Sequence, residues 1–437
     1  MVVGAGPAGL LAAKAAGENG LEVALLERKN DITQLTRACG QTLVSMNEYL
    51  FGELCRYNTR DKRICFPVSG FSFSYDGPYK NLYSCHFYTP NGHIIELGNL
   101  KEQRTKGDHG IVGLAFDKEI LLQCLLEEVK DCSVDIFPGI NVNKMTTGNN
   151  GVKVEGSGNS FEGTYLIAAD GVNSRIAQML GFNQERYYYC NFYGLSYYMS
   201  GVEPPEPDAI IYTPVFIKGG GAMLFVLPRP ADGDYNIVGG TVDPRVDLEV
   251  ACDHLMEKEF CASWFKNARK LRAFSAVCNC YSPLIEPYKD HVLVAGDAGS
   301  TQELENTGAM MSGWRAGQAV STAVREEKLG LEVKAISQYV NWWKEAYINS
   351  YSHENYMKTW ALPHILTTEE ETSYVFGLIN ETQRPCWNPY TSPLGQALKR
   401  VMPVVQQERP ELVPKLGAMR LPISQIFAEV AKVSKPV

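Results

Sequence analysis

Apolar positions change period twice within the first thirty residues. Val2-Val3 is a short apolar pair, residues 7–16 are Ala-rich with Leu10 and Leu11, and Val23-Ala24-Leu25-Leu26 is a continuous apolar run ending at Glu27. This pattern predicts strand, helix, strand, with Gly20 stopping the helix. From 64 to 97, short aromatic-rich segments are broken by Gly70, Gly77-Pro78 and Pro90-Asn91-Gly92, which reads as antiparallel strands and hairpins. Phe116-Asp117-Lys118 opens a helix that runs to Val129 at helical spacing, with Asp117 as its cap. Two short strands flank Gly148-Asn149-Asn150-Gly151, and the apolar run 165–169 leads into Asp170-Gly171. Between 187 and 240 apolar residues alternate with period two, as in an antiparallel sheet. Val292-Leu293-Val294-Ala295 reads as a buried strand ending at Gly296-Asp297, a helix follows over 308–327, and the tail from 335 is helical but punctuated by prolines.

The order of these elements carries the architecture. The chain starts a sheet, leaves it, returns near 165, leaves again and returns at 292. The expected fold class is α/β: a discontinuous Rossmann-like domain (1–60, 101–183 and 285–330), an inserted antiparallel β-rich substrate domain (61–100 and 184–284), and a mostly helical C-terminal region (331–437). A length of 437 residues suits two or three domains. The net charge of −8, without a long basic run, argues against a nucleic-acid partner. No stretch of about 18 apolar residues is present, so no spanning helix is expected. The N-terminus has neither a basic leader nor an Ala-x-Ala site, so no signal peptide is expected and the expected location is cytoplasmic. Twelve cysteines occur singly without a CxxC, and none of the seven histidines is paired at helical spacing; no metal is expected.

The first turn carries chemistry. In Val3-Gly4-Ala5-Gly6-Pro7-Ala8-Gly9-Leu10 the first glycine allows a tight strand-to-helix turn and the second admits a pyrophosphate to the backbone. The third allows close helix–strand packing, and an acid at the tip of the next strand, here Glu27, bonds a ribose hydroxyl. Such an acid favours FAD or NAD over NADP.

Asp170-Gly171-Val172-Asn173-Ser174-Arg175 and Gly296-Asp297-Ala298 follow as second and third blocks. Together the three resemble the FAD-dependent oxidoreductases of the glutathione-reductase-like type, which include aromatic hydroxylases, halogenases and the geranylgeranyl reductase family. The resemblance covers positions 1 to about 330, and details favour the last group. Asp170 to Ala177, ending in Leu180-Gly181-Phe182, is similar to the geranylgeranyl reductase form, as is the Arg37-x-Cys39-Gly40 turn. The segment from Gly221 to Arg229, followed by Asn236 to Gly240, resembles that family's Tyr-x-Trp-x-Phe-Pro-Lys hairpin, without its tyrosine and tryptophan. Ala177 stands where aromatic hydroxylases carry a second arginine, and the halogenase Trp-x-Trp-x-Ile-Pro element is absent. The chain also departs from the reductases: of the stretch facing the flavin, 303–311, only Thr307-Gly308 clearly survives, and Leu114-Ala115 replaces an arginine. It is identified as a divergent member.

The resemblance implies FAD, held by Gly4, Gly6, Pro7, Ala8, Gly9, Glu27, Arg28, Arg37, Cys39, Gly40, Asp170, Gly171, Gly296, Asp297, Gly308, Ala309 and Met310. Glu27 then serves the adenosine ribose, and the helix after Gly296-Asp297 points its positive end at the flavin. Cys39 stands beside the flavin and substrate in that reading, or is a small buried turn residue. Glu303 or Glu305 serves as proton donor, or both are solvated loop acids.

On the substrate side, Tyr187-Tyr188-Tyr189, Phe192-Tyr193, Tyr197-Tyr198-Met199, Tyr212 and Phe216 concentrate aromatic surface. Alternation turns about half of them to one face, where they wall an apolar tunnel or pack the sheet's own core. The last 41 residues hold seven Lys/Arg against three Asp/Glu, a bias that fits peripheral docking on an anionic membrane or ordinary solvated surface. The expected activity is reduction of C=C bonds in an apolar small-molecule or lipid substrate, isoprenoid in type, with an external donor such as NAD(P)H, ferredoxin or quinol. The alternatives are aromatic hydroxylation and a non-catalytic electron carrier.

Overall fold

A computed structural model describes residues 1–44, 46–299, 305–350 and 352–437, at Asn355 the backbone only. The first sheet assembles strands from distant parts of the chain, in the order Val134–Pro138, Val23–Glu27, Val2–Val3, Leu166–Ala168, Val292–Val294 and Tyr288–Lys289. The first five run parallel, with Val2 opposite both Leu25 and Ile167, and the last is an antiparallel edge. Central strands buried on both faces need continuous apolar runs, which explains Leu25-Leu26, Leu166-Ile167 and Val292-Leu293-Val294.

One face of this sheet is covered by the helices Pro7–Glu18, Lys118–Lys130 and Glu305–Lys328. The first and third lie backbone to backbone: a Cβ on Gly313 would sit 2.0 Å from the Ala8 carbonyl oxygen, and one on Gly317 2.4 Å from that of Ala12. Asp117 caps the middle helix, accepting from the N–H groups of Glu119 and Ile120 at 2.9 and 3.2 Å. The strands Val142–Gly148, Gly151–Gly156 and Asn159–Gly163 cover the other face through Val142, Val152 and Val154.

The second large sheet has seven strands, in the order Arg269–Tyr281, Tyr188–Ser200, Tyr235–Thr241, Gly220–Pro228, Ala209–Ile217, Ser84–Tyr88 and Ile94–Leu97. It is antiparallel except where Ala209–Ile217 runs parallel to Ser84–Tyr88. Alternation divides its faces. Leu195, Tyr197, Leu224 and Ile237 pack beneath the helix Leu248–Glu257, whereas Phe87, Met223 and Leu227 meet Phe376, Val405 and Leu412 of the C-terminal region.

The segment 61–100 is split between the two large units. Arg63–Phe66 and Phe71–Ser74 put Ile64, Phe66 and Phe73 into the core beside the first sheet's helices, with Phe71 stacked on Trp314 at 4.8 Å. Ser84 to Leu97 supplies the last two strands of the seven-stranded sheet. The physical reason is the hairpin's continuous phenylalanine face, which only the helical layer buries.

Candidate active site

The nucleotide end is built from positions where side chains do not fit. Gly4 leaves its strand at φ +97°, and a Cβ there would lie 2.3 Å from the Ala169 carbonyl oxygen. A Cβ on Gly9 would lie 1.7 Å from the Gly4 carbonyl oxygen, so any larger residue pushes the helix off the turn. Gly6 differs from both: a Cβ there meets nothing within 4 Å, because its backbone borders a cavity. Gly4 and Gly9 therefore make the turn, and Gly6 opens it to a ligand. Glu27 is 6% exposed, with Oε2 accepting from the Ala5 N–H at 2.7 Å and Oε1 from the Lys29 N–H at 2.9 Å. These bonds fix the carboxylate, whose remaining lone pairs serve the cavity that it lines.

Asp170 accepts from the Ser174 hydroxyl at 2.6 Å and from the N–H groups of Arg175 and Ile176 at 2.8 and 3.2 Å. Burial pushes its carboxyl above the usual range, opposed by those same hydrogen bonds. Gly171, at φ +85°, faces Arg37: a Cβ would lie 3.6 Å from Nη1. Arg37 in turn donates to Cys278 Sγ at 3.2 Å. At the third block, the Gly296 N–H donates to Ser312 Oγ at 2.9 Å and so ties the turn to the long helix. Asp297, Glu305, Asn306 and Ala309 all line the cavity, so the positive end of that helix faces it.

Between the two sheets, the loop at 37–41 is gripped from both sides. The Ala38 N–H donates to the Ser275 carbonyl at 3.3 Å, and Asn236 Nδ2 donates to the Cys39 carbonyl at 2.8 Å. Gln41 bonds the Tyr198 hydroxyl and accepts from the Lys118 N–H at 2.8 Å. Tyr198 lies under the Arg229 guanidinium, 3.8 Å from its ring centroid, and burial pushes its phenol upward. The half-buried Cys39 thiol has Lys118 Nζ at 3.5 Å and Asn306 Nδ2 at 4.0 Å.

One cavity of 1140 Å³ runs from Gly6 and Glu27 past Cys39 and Glu305 to an apolar end. Its volume lies above the roughly 300–1,000 Å³ typical of a pocket for one small ligand. The apolar wall is Phe192, Tyr212 and Phe225 from the seven-stranded sheet, with Trp360, Trp387 and Leu416 from the tail. Phe192 meets Trp360 edge-on at 4.6 Å, and Tyr212 stacks on Phe225 at 5.6 Å.

Most expected cofactor positions border this cavity: Gly4, Gly6, Pro7, Ala8, Glu27, Arg28, Arg37, Cys39, Gly40, Asp170, Gly171, Gly296, Asp297 and Ala309. Gly9, Gly308 and Met310 do not. Gly9 packs on Gly4, the Gly308 carbonyl accepts from the Tyr347 and Ser312 hydroxyls at 2.8 and 2.9 Å, and Met310 is fully buried in the core. Glu305 reaches the cavity; Glu303 lies outside the described residues.

Of the expected aromatic wall, only Phe192 and Tyr212 border the cavity. Tyr197 and Met199 point to the opposite face under Leu248–Glu257, Tyr198 is held by Gln41, and Tyr187 is 54% exposed. Period two sends neighbours to opposite faces, and the strand bulges between Tyr188 and Cys190 and between Tyr198 and Met199. The tail's contribution was missed. Its signal is the stripe Leu394, Leu398, Val401 and Val405, at helical spacing within Leu394–Glu408.

Residues 1–50 match the model of the FAD binding domain family. Digeranylgeranylglycerophospholipid reductase 1 of Methanococcoides burtonii is 22% identical over 367 residues, 82% of this chain and 82% of that protein. Among solved structures, a geranylgeranyl bacteriochlorophyll reductase-like protein from Thermoplasma acidophilum matches 96% of this chain and 98% of its own, with TM-score 0.67 at 16% identity. A point mutant of the halogenase PltM in complex with FAD has TM-score 0.58 at 12% identity, covering 100% of this chain and 96% of its own.

The chain is a divergent relative of the geranylgeranyl reductases.

Its cofactor is FAD. The residues present fit that group: the open backbone at Gly6 suits the pyrophosphate, Glu27 the adenosine ribose, and Asp297 with the helix N-terminus the flavin side. In this reductase relative the divergence around 303–311 has a physical sense. The retained Thr307-Gly308 pair is buried structure, Thr307 1% exposed and Gly308 tied to Tyr347. Glu305 and Asn306, just before that pair, face the cavity.

Proposed function

We propose that this protein is an FAD-dependent reductase that saturates carbon–carbon double bonds of an apolar, isoprenoid chain. The observation that carries this reading is one continuous cavity, polar and glycine-walled at Gly6 and lined by aromatic and aliphatic side chains beyond Cys39. When bound, FAD supplies the hydride for one carbon of the double bond.

The chain's own residues supply the rest. Glu305, the first residue of the long helix, holds the proton for the second carbon at the junction of the polar and apolar ends. Cys39, with Lys118 and Asn306 beside it, lines the passage where the double bond must lie. Trp360, Phe192 and Phe225 exclude water and straighten the chain against the sheet. The two electrons for each cycle come from an external donor: NAD(P)H, ferredoxin or a quinol.

Lys399 and Arg420 are exposed yet line the cavity, which marks an opening there. The positive excess of the last 41 residues suits that opening to an anionic lipid surface, from which a polyprenyl substrate enters. Among the described residues no helix is long and apolar enough to cross a membrane.

The test is product mass after anaerobic incubation of dithionite-reduced protein with a geranylgeranyl lipid. The proposal expects a gain of two hydrogens per reduced bond. Oxygen incorporation in air would replace it with hydroxylation, and no turnover with any donor would leave an electron carrier.

A further inference from the structure

Outside the cavity, where the helix backing the seven-stranded sheet meets a helix of the tail, a histidine and two carboxylates converge without a role in the redox site. His254 lies in the last turn of the helix Leu248–Glu257, Glu259 follows just after that helix, and Glu369 opens the helix Glu369–Gly377. One ligand atom from each lies within 4.8 Å of the others. His254 Nε2 and Glu259 Oε1 are 3.4 Å apart. Two donors on a tetrahedral ion with bonds of about 2.0–2.1 Å would stand about 3.3–3.4 Å apart, so this edge already has the required length.

The second observation is Glu259 itself. Its side chain is 5% exposed, and among the described residues its Oε1 has no hydrogen-bond partner. A buried carboxylate oxygen without a donor is costly, and the oxygen points at the His254 ring and the Glu369 carboxylate. The helix Leu248–Glu257 ends just before Glu259, so the negative end of its dipole is at this terminus. Each of these features selects a cation.

We propose that His254, Glu259 and Glu369 bind a divalent transition-metal ion of the zinc class. One imidazole and two carboxylates are the borderline N/O donor set such ions take, and solvent completes the shell on the exposed Glu369 side. The ion joins the helix that backs the substrate sheet to the helix Glu369–Gly377, whose Phe376 lines the cavity. It is structural: it holds the tail over the apolar end and touches no reacting atom.

The experiment uses the full-length holoprotein, stripped with a chelator and titrated with Co²⁺ and then with Zn²⁺. The wild type is expected to take up one ion per chain, with visible Co²⁺ bands and no thiolate-to-cobalt band in the near ultraviolet. Glu369→Gln changes an exposed side chain and leaves the core intact. It and Glu259→Gln should each weaken Co²⁺ binding at least about 100-fold, above the loss seen for outer-shell partners. Zn²⁺ should raise the wild-type Tm and leave that of Glu369→Gln unmoved. No uptake by the wild type, a thiolate band, or unaltered affinity in Glu369→Gln would each overturn the proposal.

Discussion

The two ends of the cavity are made in opposite ways. At the nucleotide end the backbone is the binding surface: Gly4 and Gly9 close a turn that tolerates no Cβ, and Gly6 leaves main chain open to the ligand. Polar side chains there are already committed, Glu27 to two backbone N–H groups and Asp170 to three donors. At the apolar end no backbone group has such a role. The wall is a packing of rings and aliphatic chains from at least three strands and from the C-terminal tail. A surface built from main chain dictates residue type at each position, whereas a wall built from side chains dictates only size and polarity. The first end suits an invariant cofactor, and the second can be reshaped for another substrate at small cost to the fold.

The largest effect that would break this contrast is expected at Gly6. Because a Cβ there meets no neighbour, Gly6→Val should fold and yet lose FAD, with affinity down by about 1,000-fold or more, about 4.1 kcal/mol. The visible absorbance of the purified protein and its apo-form melt give the answer; a yellow Gly6→Val would place the pyrophosphate elsewhere. Glu305→Gln tests the junction. It should retain FAD but lower kcat by about 100-fold, the lower range for a lost proton donor, read by single-turnover kinetics.

Trp360→Ala sharpens the other side of the comparison. Losing the ring against Phe192 and Phe225 should cost about 3 kcal/mol of stability, with FAD retained and KM raised for long substrates. Denaturant melts and steady-state kinetics check it. The smallest effect belongs to Asn236→Ala, which frees the buried Ser196 hydroxyl and the Cys39 carbonyl. A loss of about 1–3 kcal/mol in a urea melt is expected, with slower turnover as the loop at 37–41 loosens.

The same contrast explains what the chain disclosed before its structure was known. The β–α–β start, the Asp117 cap and the returns to the sheet at Leu166 and Val292 were legible because local rules set them. Gly4, Gly6 and Glu27 could be placed for the same reason. Which of residues 308–310 borders the cavity was not legible, because a helical position says nothing about which side faces a ligand until its neighbours are known: Ala309 lines it, and Met310 is buried in the core. The side chains of Tyr188–Ser200 divide by plain alternation: Tyr197 and Met199 pack the sheet's own core under Leu248–Glu257, whereas on the Phe192 side Tyr198 is taken by Gln41, and no local pattern says which face meets the cavity. Trp360, Trp387 and Leu416 were invisible as wall because the tail docks on the sheet only in three dimensions. His254, Glu259 and Glu369 escaped notice similarly, since Glu369 lies on a separate element far along the chain.

The central claim is that FAD and an isoprenoid chain share one cavity. The direct measurement is a titration of the oxidised holoprotein with a saturated isoprenoid lipid, following the visible flavin bands while calorimetry counts the lipid bound. The account predicts band shifts that saturate at one lipid per chain, as apolar contacts replace water beside Cys39 and Glu305. Lipid uptake that leaves the flavin spectrum unchanged would contradict it.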